Sequence, residues 1–303
     1  MNNDRIQEIL DLMEEARLDY FLISDPQSIA YCTGYYNDPH ERMFVFMISK
    51  HGNHTLFMND LFYLEHDLDV NIVWHKDGQD AIQTIVDEMH FPGRIGIDKN
   101  WASHFLLDLM KKLPDAKYIN ASPCVDLVRM KKDLQEQVLM IESSKINDAV
   151  MEEIIPFIQE GVTEKQLAKK LDELFFNHHS TCYGAIVAFG KNAADPHHEN
   201  DDTPLRKGDC VLIDMGCVYK GYCSDMTRTF FYEGILEEEI KVYEIVKKAN
   251  EAAEAMIKPG VKLSDIDKCA RKVISDEGYG KYFTHRLGHF IGRDVHEYGD
   301  VSS

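Results

Sequence analysis

Two aspartates occupy two neighbouring strand-like runs joined by a short segment. If Tyr219 and Lys220 are the two loop residues of an antiparallel hairpin, Asp214 and Asp225 lie directly opposite each other. Opposed residues on one face of a sheet hold their Cβ atoms about 4.5–5.5 Å apart. Two carboxylates that close repel by about 3–4 kcal/mol at an effective dielectric of about 20, so a shared proton or a cation must lie between them.

Two interpretations of this aspartate pair are open. The surrounding residues are β-branched or apolar, which favours a buried cation site over a solvated pair. The alternative is two exposed strand carboxylates that align by chance, because Tyr-Lys is a poor two-residue turn and a shift of register would separate the side chains. We predict the cation site.

Three histidines near the end of the sequence could complete such a site. His285, His289 and His296 fall within twelve residues and are interrupted by Gly288 and Gly292. The glycines favour a strand or loop over a helix. Imidazole and carboxylate together suit Mn, Co, Fe or Zn better than Ca or Mg. The alternative is a polar helix end with solvated histidines, which the aspartate pair makes the weaker interpretation.

The composition argues against several classes of protein. A chain of 303 residues with 44% hydrophobic content is globular and long enough for two domains. The net charge of −19 disfavours nucleic acid and anionic membranes as partners, since both require a basic face. Seven scattered cysteines without a Cys-x-x-Cys pair predict neither a disulfide framework nor a thiolate zinc site. No signal-like N-terminus and no apolar run of about 18 residues occurs, so we expect a cytoplasmic protein.

The periodicity of apolar residues predicts two domains. Residues 1–125 alternate helical and strand-like segments, which indicates an α/β domain, and we find no catalytic constellation in it. A long helix, Val128–Ile155, opens a second domain over residues 126–303. In that domain Thr163 and Gln166 form a predicted capping box. The aspartate hairpin and the histidine-rich segment follow.

The second domain resembles the pita-bread metallopeptidases. The resemblance lies in residues 213–216 (Ile-Asp-Met-Gly), 221–230 (Gly-Tyr-Cys-Ser-Asp-Met-Thr-Arg-Thr-Phe) and 285–292 (His-Arg-Leu-Gly-His-Phe-Ile-Gly) with His296-Glu297. This family includes the Xaa-Pro dipeptidases (prolidases) and aminopeptidases P, with methionine aminopeptidases and creatinase as relatives. The resemblance implies a creatinase-like N-terminal α/β domain followed by an α+β pita-bread catalytic domain.

The resemblance also implies a division of labour among the candidate residues. Asp214 would bind one metal ion, Asp225 would bridge two, and His289 would bind the other. His197, His285 and His296 would line the pocket and contact substrate and the developing oxyanion. His198 would be a solvated neighbour. The implied cofactors are two divalent ions, with manganese first and cobalt or zinc as alternatives, and a water or hydroxide shared by them attacks the scissile carbonyl. The family generally forms homodimers.

One departure from the family pattern concerns the end of the sequence. The resemblance implies two further glutamate ligands, one in a Glu-Pro-Gly-like segment, and the sequence reaches Ser303 without them. Glu297 belongs to the histidine motif and matches neither. We therefore expect an incomplete metal site, an unpaired sheet edge and little or no activity for this chain, as a fragment of a normal enzyme or as a natural truncation.

The predicted function is that of an Xaa-Pro dipeptidase-like metalloexopeptidase acting on short proline-containing peptides. Aminopeptidase P activity and a non-catalytic protein that keeps the fold are the alternatives. The N-terminal domain disfavours a methionine aminopeptidase. Creatinase chemistry, which needs no metal, is disfavoured because Asp214, Asp225 and His289 can all bind one.

Overall fold

The computed structural model describes the whole chain, residues 1–303, which divides into two compact units, Met1–Lys131 and Lys132–Ser303. The first unit is α/β, and the second is α+β. None of the helices is both long enough and apolar enough to cross a lipid bilayer.

Six strands form one mixed sheet in the first unit. They are β1 (Tyr20–Ile23), β2 (Val45–Ser49), β3 (Thr55–Asn59), β4 (Asn71–His75), β5 (Arg94–Ile97) and β6 (Lys117–Asn120). Their spatial order is β4-β3-β2-β1-β5-β6. The β1–β2 and β2–β3 pairs are antiparallel, and the remaining three pairs are parallel.

Five helices cover both faces of this sheet. They are α1 (Asn3–Glu15), α2 (Pro26–Thr33), α3 (Ala81–Glu88), α4 (Ser103–Lys112) and α5 (Ser122–Met130). Alternate residues of a strand point to opposite faces. Phe21 and Ile23 of β1 therefore pack with α1, α2 and α5, whereas Tyr20 and Leu22 pack with α3 and α4. Because both faces are covered, every residue of β1, β2 and β3 is buried.

The second unit begins at Lys132, whereas the sequence placed the start of the second domain at residue 126. The expected continuous helix Val128–Ile155 is wrong, because the chain breaks between α5 and α6 (Leu134–Ile154). Asp133 caps the new helix: its carboxylate accepts from the backbone N–H groups of Gln135 and Glu136, and Glu136 accepts from the N–H of Asp133. This reciprocal capping box starts a separate helix.

Three further helices belong to the second unit: α7 (Glu164–Asn177), α8 (Glu237–Glu254) and α9 (Leu263–Asp276). The predicted capping box of Thr163 and Gln166 is confirmed at the start of α7. Helices α6 and α7 pack on the sheet that carries the aspartates, and α8 packs with α9 in a separate cluster.

The strands of the second unit form three small sheets. They are β7 (Thr181–Cys182), β8 (Ile186–Phe189), β9 (Cys210–Met215), β10 (Cys217–Tyr219), β11 (Tyr222–Cys223), β12 (Met226–Phe231), β13 (Gly288–Phe290) and β14 (Glu297–Val301). The sheets have the orders β12-β9-β8, β11-β10-β7 and β13-β14. The histidine-rich end is thus strand and loop, as its glycines predicted.

Candidate active site

The aspartate hairpin exists, but its predicted register is wrong. Asp214 pairs with Thr227 and Tyr219 pairs with Tyr222, so the two loop residues are Lys220 and Gly221. Both have positive φ, 48° and 82°. A tight two-residue hairpin turn of this kind requires φ > 0 at both loop positions. The Lys220-Gly221 loop has a glycine at the second of these positions, whereas a Tyr219-Lys220 loop would have none. Asp225 consequently is not the cross-strand partner of Asp214.

Asp214 lies on the central strand of its sheet. It is flanked by Ile186 of β8 and Thr227 of β12. The Thr227 hydroxyl donates to Asp214 Oδ1 over 2.6 Å. A partner on the neighbouring strand therefore fixes the orientation of this carboxylate.

Asp225 lies between β11 and β12, next to the buried Ser224. The Asp225 side chain is 32% exposed, and its partial desolvation and then the charge of Asp214 raise the pKa of Asp225 above its ordinary value. The two carboxylates therefore repel each other, as the sequence predicted, although a different register brings them together.

His289 is the third candidate ligand, and it lies beside Asp225. The N–H of Cys223 donates to the carbonyl of Gly292 over 2.7 Å, which ties the hairpin to the histidine segment. His289 Nε2 then lies 3.4 Å from Asp225 Oδ2, and the histidine side chain is only 16% exposed. His289 Nδ1 lies 3.1 Å from the carbonyl oxygen of Phe290. Since a carbonyl only accepts, Nδ1 carries a proton, and in the neutral ring it is Nε2 that has the lone pair on the side of Asp225.

These contacts define a donor set for a metal. Asp225 and His289 lie in contact and the charge of Asp214 acts on Asp225, so two carboxylates and an imidazole are available as ligands. A second ring nitrogen that donates to a backbone carbonyl is the usual arrangement around a metal-binding histidine. The three predicted ligands therefore fit a divalent metal ion of the first transition row.

The other predicted histidines form two ring contacts. The ring of His296 lies 4.3 Å from that of His289, and the ring of His197 lies 6.1 Å from that of His285. His197, His285 and His296 are exposed, so a substrate could reach them. Burial, with the neighbouring His289 and Arg286, lowers the pKa of His296.

His285 is oriented by its own backbone. Its Nδ1 lies 2.7 Å from the carbonyl oxygen of Arg286, so this nitrogen carries the proton. Its Nε2 is therefore an acceptor. The ring can take a proton at that atom.

A buried ion pair holds the chain that leads to the histidines. Asp267 of α9 is fully buried and accepts from Arg271 Nε over 2.6 Å and from the N–H of Leu287 over 3.1 Å. Arg271 also donates to the carbonyls of Phe283 and His285. Burial of Asp267 opposes its ionisation, but the hydrogen bonds and charge of Arg271 outweigh burial, so the pKa of Asp267 is lowered. Sequence reasoning missed this pair, because its spacing of four residues is that of an ordinary surface pair on a helix.

Glu297 holds the loop before His296. It accepts from Lys132 Nζ over 2.8 Å and from the N–H of Arg293 over 2.9 Å. A Cβ at Gly292 would lie within 2.8 Å of the Glu297 carboxyl carbon, so the close approach requires glycine.

Tyr183 is a residue of the site that the sequence did not indicate. Its hydroxyl donates to the carbonyl of Ser224 over 2.7 Å, beside Asp225. Burial and the charge of Asp225 raise the pKa of Tyr183. A Cβ at Gly216 would overlap this hydroxyl. The preceding strand β7 has two residues, too few to show a periodic signal.

A second carboxylate–histidine group lies on the loop that carries His197. His198 Nε2 lies 2.6 Å from Glu164 Oε2, and the side chains are 13% and 0% exposed. The prediction that His198 is solvated is therefore wrong. Glu164, His198 and Asp201 bring potential ligand atoms within 4.8 Å of one another.

Comparison with known proteins identifies the two units. Residues 138–303 match the model of metallopeptidase family M24, and residues 5–131 match that of the creatinase/prolidase N-terminal domain. An uncharacterized peptidase from Staphylococcus aureus is 33% identical over 99% of this chain and 86% of its own length.

Solved structures agree. A prolidase from Thermococcus sibiricus has a TM-score of 0.93 at 31% identity, covering 100% of this chain and 85% of its own. A dipeptidase from Pyrococcus horikoshii has a TM-score of 0.90 at 34% identity, covering 98% and 85%. The predicted creatinase-like domain and pita-bread domain are confirmed as the fold.

Proposed function

Since the chain belongs to metallopeptidase family M24 and carries a creatinase/prolidase N-terminal domain, we propose that it is an Xaa-Pro dipeptidase-like metalloexopeptidase. It would hydrolyse the bond before proline in short peptides. The observation that carries the proposal is the meeting of Asp225 with His289 at 3.4 Å beside the charge of Asp214. The similarity to a prolidase and a dipeptidase supports the substrate class.

Asp214, Asp225 and His289 would hold the metal. When bound, divalent cations would supply Lewis acidity for the scissile carbonyl and lower the pKa of a bound water. Thr227 would keep Asp214 oriented through its hydroxyl, and the Phe290 carbonyl would keep the ring of His289 turned toward Asp225. Such supporting contacts typically tune metal affinity.

The three pocket histidines would handle protons and the substrate. Proline after the scissile bond offers a tertiary amide, whose nitrogen must gain a proton to leave as an amine. His285 can exchange a proton at Nε2, because its Nδ1 is held by a carbonyl. His197, whose ring contacts that of His285, would donate to the developing oxyanion. His296 would contact the substrate beside His289. The cytoplasmic location and the homodimer remain predictions.

Hydrolysis of matched peptides tests the proposal. The 303-residue chain and a version extended with the two further glutamate ligands are loaded with Mn, Co or Zn, and cleavage is followed for an Xaa-Pro dipeptide, an Xaa-Pro-Yaa tripeptide and the corresponding Xaa-Ala dipeptide. We expect the extended version to cleave the Xaa-Pro dipeptide above the other two and the 303-residue chain to show little or no turnover. Preference for the tripeptide would indicate aminopeptidase P activity. Metal binding by the extended version without cleavage of any peptide would contradict the proposal and favour a non-catalytic role.

A further inference from the structure

Glu164 lies at the start of α7 and is fully buried. A buried carboxylate is stable only when its oxygens accept hydrogen bonds. Glu164 Oε1 accepts from the N–H of Phe189 and from Asn192 Nδ2, both over 2.9 Å. Its Oε2 accepts from His198 Nε2 over 2.6 Å and from the N–H of Asp201 over 3.0 Å. All four N–H groups belong to β8 or to the loop that follows it.

These contacts argue against a cation at this place. A carboxylate offers about four acceptor sites, and four N–H donors fill those of Glu164. His198 must carry its proton on Nε2 to donate, so that nitrogen has no lone pair left for a metal. Asp201 uses one carboxylate oxygen to accept from the N–H of Thr203 over 2.7 Å. The group is internally satisfied.

The loop whose N–H groups donate to Glu164 also carries the exposed His197. Helix α7 holds the far end of the same loop, since the N–H groups of Glu164 and Lys165 donate to the carbonyls of Thr203 and Asp201. His197 itself is exposed, and its N–H donates to Asp195 within the loop. The side-chain contact closest to His197 in sequence that ties the loop to the rest of the unit is therefore the hydrogen bond from the His198 imidazole to Glu164.

We propose that His198 and Glu164 are positioning residues that set the place of the His197 ring against His285. The inference rests on the proposed function, in which His197 serves the reaction, and adds two residues that touch neither metal nor substrate. The anchored imidazole of His198 leaves its neighbour only a narrow range of positions. A displacement of about 1 Å can cost about 100-fold in rate.

Variants of His198 test the proposal without replacing the buried glutamate. His198→Ala removes the donor to Glu164, and His198→Gln keeps an N–H near the position of Nε2. Glu199→Gln, on the same loop and exposed, is the matched control. Glu164→Gln is a second variant, to be used where circular dichroism shows that it folds.

The first readout is histidine-ring NMR on the full chain, which needs no activity. Signals are assigned with His197→Ala and His285→Ala. We expect His198→Ala to shift the ring signals of both His197 and His285, and His198→Gln and Glu199→Gln to leave them in place. A general loss of stability would not select those two rings. Unchanged signals of His197 in His198→Ala would overturn the proposal.

The second readout is a kinetic cycle with the Xaa-Pro dipeptide, carried out in the version extended with the two further glutamate ligands. We expect His198→Ala to lower kcat by about 10- to 100-fold with KM nearly unchanged, and His198→Gln to restore most of the loss. In a His197→Ala background, His198→Ala should cost less than about twofold, because it acts through a ring that is gone. Losses that multiply in the double variant would overturn the proposal.

Two other outcomes are informative. If Asp201→Asn and His198→Ala each remove one equivalent of bound metal, the group is a cation site and the proposal is wrong. If His197→Ala leaves hydrolysis unchanged, the proposed role of His197 fails, whereas the ring signals still decide whether His198 positions it.

Discussion

The second unit contains two carboxylate–imidazole contacts that look alike by residue type. Asp225 Oδ2 lies 3.4 Å from His289 Nε2, and Glu164 Oε2 lies 2.6 Å from His198 Nε2. At Glu164 the imidazole donates to the carboxylate, and three more N–H donors fill the remaining sites. At His289 the Nδ1 nitrogen donates to a backbone carbonyl, so in the neutral ring the nitrogen that faces Asp225 has a lone pair.

The difference separates a structural contact from a metal site. Four N–H donors satisfy the oxygens of Glu164, whereas partial desolvation and the charge of Asp214 raise the pKa of Asp225. Whether such a group can bind a metal ion therefore depends on which of its lone pairs are not already accepting hydrogen bonds. The residue types alone do not decide it.

Among the variants proposed, Asp225→Asn should have the largest effect on the metal site. An amide cannot bridge two cations and supplies no charge, so in a version that carries the two further glutamate ligands we expect the loss of more than one equivalent of metal and the loss of hydrolysis. Metal is counted by atomic emission after dialysis, with Glu199→Gln as the charge-matched control. Two retained ions and near-normal turnover would show that Asp225 is not the bridge.

His197→Ala should leave the metal in place and reduce catalysis. Loss of a positioned proton-transfer or oxyanion group lowers kcat by about 10²–10⁴-fold. The comparison variant is His198→Ala. We expect it to lower kcat less than His197→Ala does, because the His198 ring is hydrogen-bonded to Glu164 and acts on the reaction only through His197. Equal losses of metal in the two variants would contradict these roles.

Thr227→Val should weaken the metal site through Asp214. The change removes the hydroxyl that donates to Oδ1 over 2.6 Å, and loss of such a supporting contact typically costs about 10–100-fold in metal affinity. Thr229→Val on the same strand is the matched control, since Thr229 pairs with Leu212. An equal effect from the two variants would point to strand propensity instead of the hydrogen bond.

The sequence predicted the kind of site better than its geometry. The grouping of Asp214 and Asp225 with His289 followed from residue types and motifs, yet the expected register was shifted, because the two loop residues are Lys220 and Gly221 instead of Tyr219 and Lys220. Gly221 was the available signal, since glycine marks the position of positive φ in such turns.

Helix boundaries and supporting contacts were harder to predict. Helix α2 was missed, although Asp25 caps it, Pro26 begins it and Gly34 ends it in a left-handed conformation. These are local signals of a helix start and a helix end, and the spacing of apolar residues between them gives no helical periodicity to support them. The anchoring by Glu164 was not predictable, because it depends on four donors from a loop separated by 25 to 37 residues.

The smallest expected effect concerns the ion pair that holds the segment before His289. Asp267→Asn removes the charge that binds Arg271 and should destabilise the protein at neutral pH by about 1–3 kcal/mol. The pKa of Asp267 is lowered in the folded state, so its contribution is fully present above the unfolded value near 3.8 and is lost as pH falls through the folded pKa. The stability gap between the variant and the parent should therefore narrow below about pH 4.

Asp276→Asn is the control for this prediction, because Asp276 pairs with Lys272 at the same spacing on α9 but is 62% exposed. An exposed pair of this kind contributes about 0.3–0.5 kcal/mol. Urea unfolding of the three proteins at several pH values measures both effects. A gap for Asp267→Asn that is no larger than that for Asp276→Asn, or that widens as the pH falls, would show that the buried pair does not stabilise the segment leading to the histidines.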